Sequence, residues 1–204
     1  MKADSSSRHA GAIPLHGLVL SGGRGTRLGR DKGTLDYHGV PQALWGLRLL
    51  EPFCSRRFVS VRPDQVDAPA FRGLPAVVDR GASAGPASGV AAALAEFPNV
   101  AWLVIAADMP LLTNAVIGRL VRHRDPSVLA TAYRHSDGVP EPLCAIWEPS
   151  AAARLGSPAP GQGVSLRRLL EDGPTRLIDV GDNEALTSVN TEADDLRVRA
   201  RLLM

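Results

Sequence analysis

The sequence predicts an α/β fold with a mostly parallel central sheet between two helical layers, and three observations carry that expectation. Short β-branched or aliphatic runs alternate with longer Ala/Leu/Arg-rich stretches, the pattern of successive βαβ units. The clearest runs, at residues 16–20 and 102–107, are continuously apolar, as strands buried on both faces are. Both stop at glycine, serine or aspartate, as strand-to-helix turns do in a Rossmann-like three-layer α/β/α arrangement.

Taken in order, residues 16–20 form the first strand and end abruptly at Ser21-Gly22-Gly23. Residues 41–52 read as a helix, with Pro41 suited to its first turn and Leu44, Leu47 and Leu50 on one face. A second strand is expected at residues 57–61 and a short third one at 76–78, ending at Asp79. Gly85-Pro86 then opens an Ala-rich helix to about Phe97. The run at 102–107 reads as a central strand and ends at Asp108-Met109-Pro110. Thr113 suits the N-cap of a helix reaching about His123, and two further strands are expected at 128–133 and 142–147. Beyond Gly163 come a short helix at 165–170, a last strand at 176–180, and a C-terminal helix capped by Thr191 with Asp194 in its first turn.

Composition narrows the class. Hydrophobic residues are 45% and charged residues 22% of the 204, which excludes a disordered polypeptide, a coiled coil and a collagen-like repeat. A net charge of +2 gives no general nucleic-acid or membrane surface, and no apolar run approaches the roughly 20 residues of a membrane span. Residues 1–12 read as a flexible polar tail without a signal-peptide core, and residues 13–204 as a single domain. The best linker candidate, residues 157–163, leaves too short a remainder for an independent core. Cys54 and Cys144 lack metal-ligand spacing and read as small core residues of a cytoplasmic protein. The five histidines show no paired-ligand spacing and are expected on the surface or at strand edges.

Ligands of open parallel sheets bind beyond the carboxyl ends of the strands, where the strand order reverses. Three such ends stand out. Residues 20–32 combine Gly22, Gly23, Gly25 and Gly29 with Arg24, Arg27, Arg30 and Lys32, which describes a cradle for a polyphosphate or, alternatively, a solvated hairpin loop whose basic residues face water. The sequence has 21 arginines but only two lysines, Lys2 and Lys32, so a compact ammonium in this loop is a distinctive choice. The second end is Asp108, a hard carboxylate suited to holding Mg²⁺ against substrate phosphates or, alternatively, to an Asx-turn or helix cap. The third is Asp79 with Gly85, where backbone N–H groups at a helix start suit a base, ribose or phosphate, and where a plain N-terminal helix turn is the alternative. A P-loop is absent because Lys32 precedes Gly33, the glycine spacing departs from the dinucleotide fingerprint, and no G-x-S-x-G elbow occurs.

The L-x-G-G-x-x-x-R-[ML]-G-x-D-K core within residues 18–41 resembles the molybdenum cofactor guanylyltransferases among the Rossmann-like nucleotidyltransferases. Further stretches look like later signatures of that family in the right order: Asp79 with Gly85-Pro86-x-x-Gly89, Asp108-Met109-Pro110, Glu141-Pro142-Leu143-Cys144-Ala145 and Asn190-Thr191-x-x-Asp194. The resemblance covers residues 16–196. It implies transfer of GMP from GTP to the terminal phosphate of molybdenum-bearing molybdopterin, with Mg²⁺ as cofactor and release of pyrophosphate. By the same resemblance Lys32, Arg27 and Asp108 carry catalysis. Asp108 holds the metal, and Leu20, Ser21, Gly22, Gly23, Lys32, Asp79, Gly85 and Asp108 bind the nucleotide, while Asn190 shapes the pterin side. Transient contact with molybdoenzymes or their chaperones is also implied. Leu28 and Arg62 stand where the family often has methionine and asparagine. Ser21-Gly22-Gly23 and Gly85-Pro86 favour guanine over the cytosine of related enzymes that use CTP. A nucleotidyltransferase of the same fold with another acceptor, and a non-catalytic nucleotide or pterin carrier, remain as alternatives.

Overall fold

The computed structural model describes residues 13–21, 31–79, 85–156, 163–181 and 183–203. The expected tail at 1–12, most of the glycine-rich loop including Gly22, Gly23 and Arg27, and most of the linker candidate lie outside the described residues. Seven strands form one sheet: β1 (Leu15–Leu20), β2 (Arg56–Val61), β3 (Ala76–Val78), β4 (Ala101–Ala106), β5 (Ala130–Arg134), β6 (Pro140–Trp147) and β7 (Thr175–Asp179). Their order is β3-β2-β1-β4-β6-β5-β7. The path runs outward from β1 to β3 and then returns to the other side of β1 with β4, so strand order reverses between β1 and β4.

All pairings are parallel except those of β6, which is antiparallel to both β4 and β5. A tight hairpin makes that reversal possible. His135 N–H donates to Val139 C=O at 2.9 Å, and Gly138 takes a φ of 87° in the turn. The dipeptide Asp137-Gly138 is a standard hairpin signal. Because β6 runs backwards, its first residues join the carboxyl-end face of the sheet, and Leu143 reaches that end.

Helices cover both faces. On one lie α1 (Gln42–Leu50) and α3 (Asn114–Arg122). Here Leu47, Leu50, Ile117 and Leu120 pack with Val19, Val59, Leu103 and Ile105. On the other lie α2 (Pro86–Glu96), α4 (Ala152–Leu155) and α5 (Leu166–Asp172), whose Val90, Leu94, Leu155, Leu166 and Leu170 meet Leu18, Phe58, Val104 and Trp147. Successive residues of β1 and β4 therefore enter opposite cores, and all six residues of β4 are buried, which is why this strand is apolar without interruption. The final helix, α6 (Glu192–Leu202), starts with the expected Thr191–Asp194 capping box. No helix among the described residues is long and apolar enough to cross a membrane.

Cys54 and Cys144 are free and buried, and burial pushes the Cys54 thiol up to about 12 and that of Cys144 higher still. Both act as small apolar fillers. His16 departs from the surface expectation. It is 6% exposed in the central strand β1, its ring packed edge-on against Phe97 and Trp102, with Phe58 alongside. The three aromatic partners come from separate elements, so no local spacing announces the cluster.

A buried ion pair ties the sheet to its helices. Glu148, 1% exposed, accepts Arg124 Nε at 2.7 Å and Nη2 at 2.9 Å, while Arg124 Nη1 donates to Ile13 C=O at 2.9 Å. Removing one partner strands a charge in low dielectric, so Arg124→Ala is expected to cost about 3–5 kcal/mol of unfolding free energy in a urea titration. His16 sets a pH dependence of opposite origin. Burial, helped by the Arg56 charge, holds its pKa below 6.5 despite a backbone hydrogen bond at Leu15. The folded state thus binds fewer protons than the unfolded state, and its contribution is complete above pH 6.5 and declines as pH falls below it. In His16→Leu that part of the acid-side loss should disappear from the pH profile of stability.

Candidate functional site

The carboxyl ends of β1, β2, β3 and β4 open into a cavity of about 700 Å³, within the range of small-molecule sites. Its lining includes Leu20 and Ser21 from the end of β1, Ser60 and Arg62 from β2, Asp79 after β3, and Gly85 at the head of α2. Ala106 and Asp108 follow from β4, and Leu143, Ser188 and Asn190 close the far side. Of the residues singled out by sequence, the structure thus gathers Leu20, Ser21, Lys32, Asp79, Gly85, Asp108 and Asn190 around one space.

The strands fix these positions in turn. Ser21 N–H donates to Ser60 C=O at 3.2 Å and Ala107 N–H to Leu20 C=O at 3.1 Å, so β1 is held at its end from both sides. Asp79 N–H donates to Val61 C=O at 2.8 Å, which carries the parallel ladder one residue past β3. The Asp79 carboxylate then accepts the Ser88 hydroxyl from the first turn of α2. Gly85, immediately before α2, takes a φ of 134°, which an L side chain rarely adopts, and so lets the backbone turn sharply onto the helix.

Lys32 is the centre of the cluster. Its Nζ donates to Asp108 Oδ2 and to Asn190 Oδ1, each at 2.6 Å, with side-chain exposures of 21% for Lys32 and 12% for Asp108. These bonds occupy two of the three N–H groups of the ammonium. Asn190 arrives because Val189 N–H donates to Asp108 C=O at 2.8 Å, laying the segment before α6 along the end of β4. Asp194 Oδ2 then accepts the backbone N–H groups of Asn190 and Thr191, at 3.2 and 3.0 Å; together with the Thr191 side chain, those bonds hold its carboxyl below the ordinary range. Asn190 therefore sits inside the cavity beside Lys32.

The second oxygen of Asp108, Oδ1, is buried and has no hydrogen-bond partner among the described residues. An orphaned carboxylate oxygen beside the cavity suits a hard divalent cation. No group of three His, Cys, Asp or Glu side chains surrounds it among the described residues. Asp108 would hold such a cation as a single carboxylate ligand, with substrate phosphate oxygens available as others. Asp108 and Lys32 together place a carboxylate able to hold a divalent cation beside a basic side chain.

Sequence reasoning did not single out Ser60 or Ser188 as walls of the cavity. Ser60 carried a faint signal as a buried serine in the otherwise apolar second half of β2, and Ser188 carried none. Arg62, noted only as a departure from the family pattern, lines the cavity and pairs with Asp64 through Nε at 3.0 Å and Nη2 at 3.2 Å.

A model of the MobA-like NTP transferase domain matches residues 17–178. The molybdenum cofactor biosynthesis bifunctional protein of Synechocystis is 39% identical over 74% of this sequence, which spans 42% of that protein's length. A probable molybdenum cofactor guanylyltransferase of Opitutus terrae is 37% identical over 71% of each protein. Among solved structures, molybdopterin-guanine dinucleotide biosynthesis protein A from Archaeoglobus fulgidus superposes with a TM-score of 0.77 at 24% identity, over 91% of this protein and 97% of its own length, a likeness of fold.

The Lys32–Asp108 pair is partly open to water, so its loss should be tolerated. Lys32→Ala is expected to lower unfolding free energy by about 1–2 kcal/mol in a denaturant titration, with the circular dichroism spectrum unchanged.

Proposed function

The chain belongs to the MobA-like NTP transferase domain family of nucleotidyltransferase enzymes, and on that footing we propose that it transfers GMP from GTP to the terminal phosphate of molybdopterin carrying molybdenum. The product is the guanine dinucleotide form of that cofactor, with pyrophosphate released. The observation that carries the reading is the Lys32–Asp108–Asn190 cluster at the reversal of strand order between β1 and β4.

In this reading an oxygen of the pterin's terminal phosphate attacks the α-phosphorus of GTP. A bond forms between them as the bond from the α-phosphorus to the bridging oxygen breaks, and the electron pair leaves with pyrophosphate. A phosphate nucleophile is already ionised at neutral pH, so the protein's work is in-line positioning and charge neutralisation. Lys32 follows the charge that moves toward the leaving group, together with Arg27, assigned by the family motif. Asp108 would hold Mg²⁺, which when bound would supply Lewis-acid stabilisation of the triphosphate.

Leu20, Ser21, Gly22 and Gly23 contact the nucleotide through their backbone, and Asp79 and Gly85 lie on its base and ribose side. Asn190 orients Lys32 from the face on which the acceptor phosphate approaches, which is how it shapes the pterin side. Transient delivery contacts with molybdoenzymes or their chaperones belong to the same proposal, as does a cytoplasmic site of action, which suits the two reduced, buried cysteines.

The reading is tested by Mg²⁺-dependent pyrophosphate release with GTP and CTP, each with and without molybdopterin. GTP-selective, pterin-dependent release is expected, and Lys32→Ala and Asp108→Ala should each reduce it at least about a hundredfold. Preference for CTP would assign the protein to the cytosine branch. Nucleotide turnover that ignores molybdopterin would point to another acceptor, and tight nucleotide binding without release would make the protein a carrier.

A further inference from the structure

Two parts of the cavity are joined by a residue that lines neither. Gln65 is 4% exposed in the short 3-10 turn Pro63–Gln65 that follows β2. Its side-chain amide is used at both ends. Oε1 accepts the backbone N–H of Arg62, a cavity wall residue, at 2.9 Å. Nε2 donates to Asp31 Oδ2 across 34 residues of sequence. Asp31 in turn caps the 3-10 turn Lys32–Thr34: its Oδ1 accepts Gly33 N–H at 3.2 Å, and its backbone carbonyl accepts Thr34 N–H at 3.0 Å. Both oxygens of the Asp31 carboxylate are therefore committed, one to the turn that presents Lys32 and one to Gln65. Burial raises the Asp31 carboxyl above its ordinary range, and the hydrogen bonds from Gln65 and Gly33 oppose that rise.

We propose that Gln65 is a positioning residue, a buried amide clamp that fixes the turn bearing Lys32 against the end of β2 and so sets the place of the ammonium over the reacting phosphates. This deepens the proposed transferase reading and rests on it for its kinetic consequence. The clamp requires one acceptor facing Arg62 and one donor facing Asp31, a pattern that a glutamine side chain meets and that glutamate or leucine does not. Rotating the amide by half a turn would set its NH₂ against the Arg62 N–H, so the orientation is determined by the partners.

The test exchanges the two partners' roles. Gln65→Leu loses both bonds, and Gln65→Glu keeps the bond to Arg62 but sets carboxylate against carboxylate. The double variant Asp31→Asn with Gln65→Glu restores a complete set in reverse. The asparagine amide donates to the glutamate, its oxygen still accepts Gly33 N–H, and the second glutamate oxygen still accepts Arg62 N–H. Pyrophosphate release should show kcat reduced about tenfold or more in Gln65→Leu and Gln65→Glu, with KM for GTP changed less than about threefold, and the double variant back within about threefold of the parent. Lys32 and Lys2 are the only lysines, so protein labelled with ¹³C at the lysine ε-carbon gives a direct reading of Lys32. Its resonance should move in Gln65→Glu and return in the double variant.

Full kcat in Gln65→Leu, or a double variant no better than its single parents while still folded, would overturn the clamp. An unmoved Lys32 resonance in all variants would do the same. If the parent protein releases no pyrophosphate from any nucleotide, the transferase reading fails, and the resonance series alone decides whether Gln65 positions Lys32.

Discussion

The ammonium of Lys32 donates to a carboxylate 76 residues further along the sequence and to an amide 158 residues further. Each of the three residues is delivered by a different device. Asp108 follows a strand buried on both faces, Asn190 is laid alongside it by a backbone bond from Val189, and Lys32 stands on a turn capped by Asp31. The cavity exists as a chemical site only while all three devices hold, so the topology of the sheet and the charge at its end are parts of one arrangement. Strand order reverses at β1 and β4, and that reversal opens the crevice into which Lys32, Asp108 and Asn190 converge.

Electrostatics explains why so few ionisable groups suffice. On the proposed reading, a triphosphate brings several negative charges and its own oxygen ligands, so one carboxylate would anchor a cation and a small number of basic groups would follow the moving charge. A second carboxylate would add repulsion toward the phosphates. Asp79, the other carboxylate of the cavity wall, accepts the Ser88 hydroxyl, and on the proposed reading it faces the base and ribose, away from the triphosphate.

Much of the fold was legible because both-face burial leaves a one-dimensional trace. The continuous run in β4, the Gly85-Pro86 start of α2 and the Thr113 and Thr191 caps each appear where local chemistry puts them. Lys32 and Asp108 were legible for a similar reason: one is a rare residue type in this protein and the other stands just beyond an apolar strand. The reversed direction of β6 was signalled by Asp137-Gly138, yet the strand's own composition does not distinguish a hairpin partner from a crossover partner. His16, Ser60, Ser188 and Gln65 left little trace, since their roles depend on partners from other elements. A glutamine in a polar stretch after a strand looks like any solvent-facing residue until Asp31 and Arg62 are seen at its two ends.

The complete burial of β4 has a consequence for motion. Backbone N–H groups in such a strand exchange with solvent only when the whole sheet opens, whereas short turns at the rim open at much lower free energy. Asp108 is hydrogen-bonded through its backbone to Val189 at the end of that strand, while Lys32 belongs to a three-residue turn at the rim. The two charges of the pair are thus expected to sit in parts of the molecule that differ in hydrogen-exchange lifetime. The carboxylate serves as the fixed reference, and on the proposed reading adjustment to an arriving phosphate falls to the flexible side chain of Lys32 beyond its clamped turn.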